Sequence, residues 1–179
     1  MPPCFKLFLR RDNAAPCPAY SLQSARWPCG QLRQGLVEWY RFDEAQGRNV
    51  SDSGPDGHDA TASADIKRIP GVFGGAIEID QDTHIPIGDV AGFEWNEPFS
   101  LCAWIRPTSL RDNQSIVRKR NEQQRGYTMT IRRQTLCFGA NHGPDGNILG
   151  AYAVPKSIVA GEWSHERLST TAVAGNARW

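Results

Sequence analysis

The sequence predicts an all-β protein, a sandwich of two antiparallel sheets. Its clearest strand spans residues 99–106, where two sets of side chains alternate: Phe99, Leu101, Ala103 and Ile105 against Ser100, Cys102, Trp104 and Arg106. Because side chains of a strand point alternately to opposite faces, the apolar set packs on a core. Pro98 and Pro107 mark the ends, since proline cannot donate to a ladder. About eight such strands at roughly ten-residue spacing, without helical periodicity, are typical of a sandwich.

The other strands are predicted from alternation and from aromatic and β-branched residues. They cover residues 36–43, 76–80, 84–87, 115–119, 127–132, 135–138 and 149–154. Turns rich in Asp, Asn, Ser, Gly and Pro separate them, at residues 49–58, 70–75 and 141–147. Residues 1–34 contain several prolines and no apolar periodicity, which predicts an extension with little fixed structure.

Charge and composition exclude several classes of protein. The chain has 20 basic and 19 acidic residues, so no overall field favours nucleic acid or an anionic membrane. No run approaches the ~18 apolar residues of a membrane span. The first residues do not have the pattern of a secretory signal. Five cysteines without metal-ligand spacing include Cys102 and Cys137, which lie in alternating strands and are predicted to be buried free thiols.

Several segments, in their order and spacing, resemble laminin G-like domains. They are residues 36–44, 52–60, 70–80, 99–108, 116–117, 126–127 and 161–165, which span most of the chain from 36 to 165. The resemblance implies a jelly roll of the concanavalin A-like lectin/glucanase superfamily. It also implies a glycan or an extracellular protein as ligand, sometimes with calcium, and an extracellular or periplasmic location. The missing signal leaves the location open, and an exported parent protein is the favoured interpretation.

After His165 the resemblance stops. The family continues from Trp-x-His to Tyr-Asp-Gly, whereas here residues 170–174 read Thr-Thr-Ala-Val-Ala. The same bases, read one nucleotide earlier, can encode Tyr-Asp-Gly-Ser-Gly. The sequence therefore predicts three segments: an extension over 1–34, an incomplete laminin G-like sandwich over 35–165, and a tail over 166–179 that we interpret as out of frame. A divergent natural end is the alternative.

Glu78 and Asp80 are the strongest enzymatic candidates. Glucanases of the same superfamily carry Glu-x-Asp-x-Glu or a longer variant on one strand, so that one carboxylate acts as nucleophile and one as acid. Here the last position is Asp82, one methylene shorter. Because residues 74–80 also fit the non-catalytic laminin G-like pattern, the favoured interpretation is structural.

Aspartates in two turns are the candidate ligands for Ca²⁺, which binds six to eight oxygens. The candidates are Asp52, Asp56, Asp80 and Asp82. The alternative is that Asp52 and Asp56 are turn residues and that Asp80 and Asp82 cap a strand.

Exposed aromatic rings are the candidate ligand contacts, because sugar rings stack on aromatic faces. Trp104 lies on the polar face of its strand, and with Tyr127 and Arg106 it forms the predicted ligand-binding set. The alternative for these aromatic residues is core packing.

The predicted function is a non-catalytic module that binds a glycan or a protein, without nucleic acid or a membrane span, within a larger exported protein. The alternatives are a glucanase-like hydrolase and an inactive remnant of a frameshifted gene.

Overall fold

The computed structural model describes residues 4–11, 35–93, 97–122, 125–141, 148–152 and 156–170. These residues form strands and loops and no helix, so no helix in this part of the chain could cross a membrane. The strands are β1 Cys4–Arg11, β2 Leu36–Tyr40, β3 Asn49–Val50, β4 Ala60–Thr61, β5 Lys67–Pro70, β6 Gly75–Glu78, β7 Phe99–Arg106, β8 Gln114–Arg120, β9 Gly126–Arg132, β10 Thr135–Asn141, β11 Ile148–Tyr152 and β12 Ser164–Ser169. All pairings between them are antiparallel.

The larger sheet is built around β7. Its order is β12-β7-β1-β6-β5, with β2 paired to β1 beside this path. β7 pairs with β12 on one side and with the whole length of β1 on the other. The other edge of β1 is shared, because Cys4 and Phe5 pair with β6 while residues 7–10 pair with β2.

The smaller sheet has the order β11-β10-β9-β8, and β3 and β4 form a separate pair. Two buried clusters join the sheets. In the first, Ala103 and Ile105 of β7 lie with Ile131 of β9. In the second, Phe99 and Leu101 of β7 lie with side chains of β9 and β10. The protein is therefore all-β and sandwich-like, with a core shared by the two sheets.

The burial predicted for the apolar face of β7 is confirmed, although Ser100 and Cys102 on its other face are buried as well. Phe99, Leu101, Ala103 and Ile105 are at most 2% exposed. Phe99 lies among three aromatic rings, whose centroids are 4.4 Å (Phe93), 5.2 Å (Tyr127) and 6.2 Å (Phe138) from its own. The prediction of buried free thiols at Cys102 and Cys137 is also confirmed. These aromatic contacts and the shared pairing make β7 the centre of the described core.

The structure differs from the sequence prediction in several segments, which include the short strands β3, β4 and β5, none of them predicted. Cys4–Arg11 is a strand, although little fixed structure was expected over 1–34, because β7 supplies its backbone partners. Residues 84–87 are not a strand, since Pro86 lacks an N–H and none of the described strands pairs with them, but Ile85 and Ile87 still pack on the core. β12, also not predicted, runs through residues 166–169, the start of the predicted tail, whose reading frame stays a prediction. Residues 12–34, 142–147 and 171–179 lie outside the described part.

Candidate functional site

Five side chains on the solvent-facing side of the larger sheet form what we call the outer aromatic cluster: Phe73, Trp104, Arg106, Trp163 and His165. Trp104 and His165 are paired across β7 and β12, with ring centroids 5.0 Å apart. Phe73 meets Trp104 edge-on at 6.0 Å. The guanidinium carbon of Arg106 lies 5.1 Å from the centre of the Trp163 ring. The cluster therefore presents aromatic and cationic surface side by side.

A rigid turn presents Phe73 to Trp104. The Gly71 amide donates to the Gly74 carbonyl at 2.8 Å, and the Gly75 amide donates to the Asp43 carboxylate at 2.6 Å. A Cβ at Gly75 would collide with the Phe42 carbonyl oxygen, so only glycine fits there. The turn is thus fixed at both ends, and it leaves the Phe73 side chain 41% exposed.

The imidazole of His165 is held in its neutral form near physiological pH. Burial lowers the pKa of His165, and the positive charge of Arg167 lowers it further. A neutral imidazole both donates and accepts hydrogen bonds, and it can bind an uncharged hydroxyl group without a charged partner. The electrostatics around His165 therefore suit a polar, uncharged ligand.

Of the predicted ligand-binding set, the structure brings together Trp104 and Arg106, which are two residues apart on one face of β7. Tyr127 is not with them. Its side chain is 1% exposed, packs against both Phe93 and Phe99, and donates through its hydroxyl to the Ala91 carbonyl at 3.0 Å. Tyr127 is a core residue, because it shares the inward face of β9 with Met129 and Ile131.

The two catalytic candidates differ in their surroundings. Glu78 ends β6 and forms an ion pair with Lys67 at 3.0 Å across the β5–β6 pair. Asp80 lies beyond the strand, where one carboxylate oxygen accepts from the amides of Asp82 and Thr83 at 3.0 and 2.9 Å. A hydrogen bond from the Thr83 side chain and, after it, the two amide bonds lower the pKa of Asp80. Both carboxylates therefore have structural partners.

Asp52 organises the turn over residues 52–58. One of its oxygens accepts from the amides of Trp39 and Gly54, each at 2.7 Å, and the other accepts from the amide of His58 at 3.0 Å. Its side chain is fully buried. Asp56 lies in the same turn and is exposed. Across the described ranges, no group of three or more Asp, Glu, His or Cys side chains is placed to hold a metal ion. Calcium binding gains no support from these residues and stays a prediction.

Replacing Asp52 with alanine is expected to lower the free energy of unfolding by about 2 kcal/mol, because three backbone N–H groups lose their acceptor. Urea denaturation measures the change. Asp52→Asn keeps one carbonyl oxygen and should lose roughly half as much. Equal stability of the alanine variant and the parent would contradict this role of Asp52.

A buried carboxyl group, not anticipated from the sequence, lies inside the sandwich. Glu38 is fully buried, and its Oε1 atom is 3.4 Å from the hydroxyl of Tyr40. That hydroxyl is also 2.8 Å from the carbonyl of His58. Burial and the negative charge of Asp52 raise the pKa of Glu38 to about 7. The sequence signal for the burial of Glu38 was the period-two alternation of β2, which places Glu38 on the same strand face as Tyr40.

Comparison with known proteins adds no constraint on these sites: no family model, curated protein or solved structure matches the chain. The resemblance to laminin G-like domains therefore stays a prediction.

Proposed function

We propose that this protein is a non-catalytic glycan-binding module, and that its sandwich is a laminin G-like jelly roll of the concanavalin A-like type. The observation that carries the proposal is the outer aromatic cluster. Trp104 and Phe73 offer partly exposed ring faces and edges, and His165 lies against the same indole. Aromatic surface of this kind accepts the apolar face of a sugar ring, while adjacent polar groups bind its hydroxyls.

The packing around Trp104 favours binding of a flat, uncharged ring. Phe73 and His165 flank the indole, which restricts the number of rotamers that Trp104 can adopt. The neighbouring Glu78 carboxylate is on the same face, because Glu78 and Arg106 both pair with Cys4, and it is neutralised by Lys67. The Trp104 indole is held in place, and the nearby Glu78 carboxylate is paired with Lys67. Both features support ligand binding rather than catalysis.

Replacing Trp104 with alanine is expected to weaken glycan binding about tenfold, because the stacking surface is lost. A glycan array of neutral and sulfated oligosaccharides, followed by calorimetric titration of the best ligand, measures the effect. Trp104→Phe should retain part of the affinity, since it keeps a ring. Arg132→Ala, an exposed change on the smaller sheet, should leave the affinity unchanged.

The titration is repeated with added calcium and with a chelator, which tests the calcium prediction separately. Thermal melting of each variant shows whether the fold is kept. If Trp104→Ala binds as tightly as the parent while remaining folded, the outer aromatic cluster is not the binding site. If no glycan binds the parent protein, the proposed function is wrong.

A further inference from the structure

The strand β8 has an open edge. Within the described ranges it pairs with β9 on one side, and no strand lies along its other side. The edge of a sheet presents backbone N–H and C=O groups that can pair with another chain. A bulge between Ser115 and Val117 interrupts the register with β9, and residues 117–120 then pair regularly up to Arg120. The regular part of the strand is therefore available for pairing.

A groove of about 1610 Å³ runs between β8 and residues 79–93. Small-molecule sites are typically about 300–1,000 Å³, so this groove suits a segment of polypeptide better. Ile87 and Ile116 lie on its walls, are half-buried, and pack against both buried clusters. At Ile87 and Ile116 the inner side of the groove is thus apolar and continuous with the core of the sandwich, and the ion pair between Lys119 and Asp89 joins its two walls.

The outer side of β8 is basic. Arg118 and Arg120 are exposed and pair with Thr128 and Gly126 of β9. Neither arginine makes an ion pair with the rest of the described residues. Lys119, between them, points the other way and is neutralised by Asp89 at 3.0 Å. Positive charge without a partner is therefore concentrated on the solvent face of this edge.

We propose that β8 is a docking edge for an extended segment of a partner protein, in which acidic and apolar residues alternate. Added as a strand, such a segment hydrogen-bonds to the backbone of β8. Its acidic side chains then lie opposite Arg118 and Arg120 at cross-strand distance. Its apolar side chains enter the groove beside Ile87 and Ile116, because successive residues of a strand face opposite ways.

A second copy of this chain fits the edge poorly. Antiparallel pairing of two β8 strands sets the arginines of one copy close to those of the other, and like charges directly opposite are destabilising. The same charges protect the edge from unspecific aggregation. A partner strand with acidic side chains would replace the repulsion between arginines by attraction. The positive charges of Arg118 and Arg120 therefore favour an acidic partner over a second copy of the chain. The edge is on the smaller sheet, apart from the outer aromatic cluster, and its test does not depend on glycan binding.

The test uses the full chain and a labelled, capped peptide of seven residues, the length of β8, that alternates valine and glutamate. Fluorescence anisotropy measures its affinity, and amide hydrogen exchange locates the contact. We expect saturable binding with slower exchange at the amides of β8. A peptide of the same composition with its valines and glutamates in two blocks should bind about tenfold more weakly, because it cannot satisfy both faces at once.

The double change Arg118→Glu and Arg120→Glu should weaken binding of the alternating acidic peptide about tenfold. It should also strengthen binding of the matching peptide that carries lysine in place of glutamate. Both side chains are exposed, and the gain with the lysine peptide shows that the variant is folded. The proposal is overturned if the acidic peptide does not bind, if the block peptide binds equally well, or if the double variant keeps the parent's preference.

Discussion

Replacing Phe99 with alanine should lower the free energy of unfolding by about 4 kcal/mol, the largest effect we expect from a single change in this chain. Phe99 is 2% exposed and begins β7, the strand that joins β1 to β12. Its ring stacks nearly parallel on Phe93, at 4.4 Å and 12°. Removing it leaves a cavity among rings from the smaller sheet and the 91–93 segment, and these rings cannot all close the space.

Urea denaturation followed by tryptophan fluorescence measures this loss. Phe73→Ala is the matched control: it also removes a phenyl ring, but that ring is 41% exposed and contacts Trp104 at its edge. The control should lose less than about 1 kcal/mol. Similar losses for the two variants would show that Phe99 is not at the centre of the core.

The fold could be predicted from the sequence wherever burial on one face dictates the pattern. In β9 the period-two alternation is clear because the core lies against one side only. In β7 the apolar side chains are buried as the alternation predicts, but Ser100 and Cys102 on the opposite face are buried as well. The same rule misled at residues 84–87, where Ile85 and Ile87 face the core from a segment that has no strand beside it. Alternation of apolar residues indicates that one side of a segment is buried. A strand also needs a neighbouring strand to pair with, and that neighbour cannot be identified from the local sequence.

β1 could not be predicted for the converse reason. Its apolar patch is short, Lys6 interrupts it, and prolines stand close by in the sequence. The strand depends on pairing with β7, whose residues lie 88 to 102 positions further along the chain. Contacts at that separation are set by tertiary packing rather than by local propensity.

The candidate site was predictable in part. Alternation along β7 predicts that Trp104 and Arg106 share one face. Alternation along β9 places Tyr127 on the buried face with Met129 and Ile131. Alternation does not predict which side chains surround Trp104. His165 reaches Trp104 through the register of β12 on β7, and Phe73 through a turn fixed by Asp43. Register and turn position are non-local, so the cluster is visible only in the folded chain.

Glu38 makes the stability of the protein depend on pH. Its pKa is raised by burial from an ordinary 4.5 to about 7, so the folded protein keeps a proton that the unfolded chain releases. The stabilising effect of that proton is fully present below pH 4.5 and is lost as the pH rises to about 7. Across this interval we expect Glu38 to lower the free energy of unfolding by about 3 kcal/mol.

The surroundings of Glu38 explain why the neutral form fits. The single hydrogen of the Tyr40 hydroxyl is taken by the His58 carbonyl at 2.8 Å. A protonated Glu38 can then donate to the Tyr40 oxygen, 3.4 Å away, although Oε2 of Glu38 has no hydrogen-bond partner among the described residues. An ionised Glu38 would compete with the His58 carbonyl for the single hydrogen of Tyr40 and would face the carboxylate of Asp52, whose side chain is buried. The Tyr40 hydrogen bond lowers the pKa of Glu38, but burial and the charge of Asp52 raise it by more. Glutamine supplies an N–H donor at the same position without a charge.

The substitution Glu38→Gln is therefore expected to raise the free energy of unfolding at pH 8 by about 3 kcal/mol relative to the parent, and to change it little at pH 4. Urea denaturation of both proteins from pH 4 to pH 8 gives the difference at each pH, which cancels the titration of groups such as His165 and Glu166. Glu162→Gln, the same replacement at an exposed carboxylate, is the matched control and is measured over the same pH range. If parent and Glu38→Gln lose stability in parallel between pH 4.5 and 7, the buried carboxyl group does not titrate as its surroundings require.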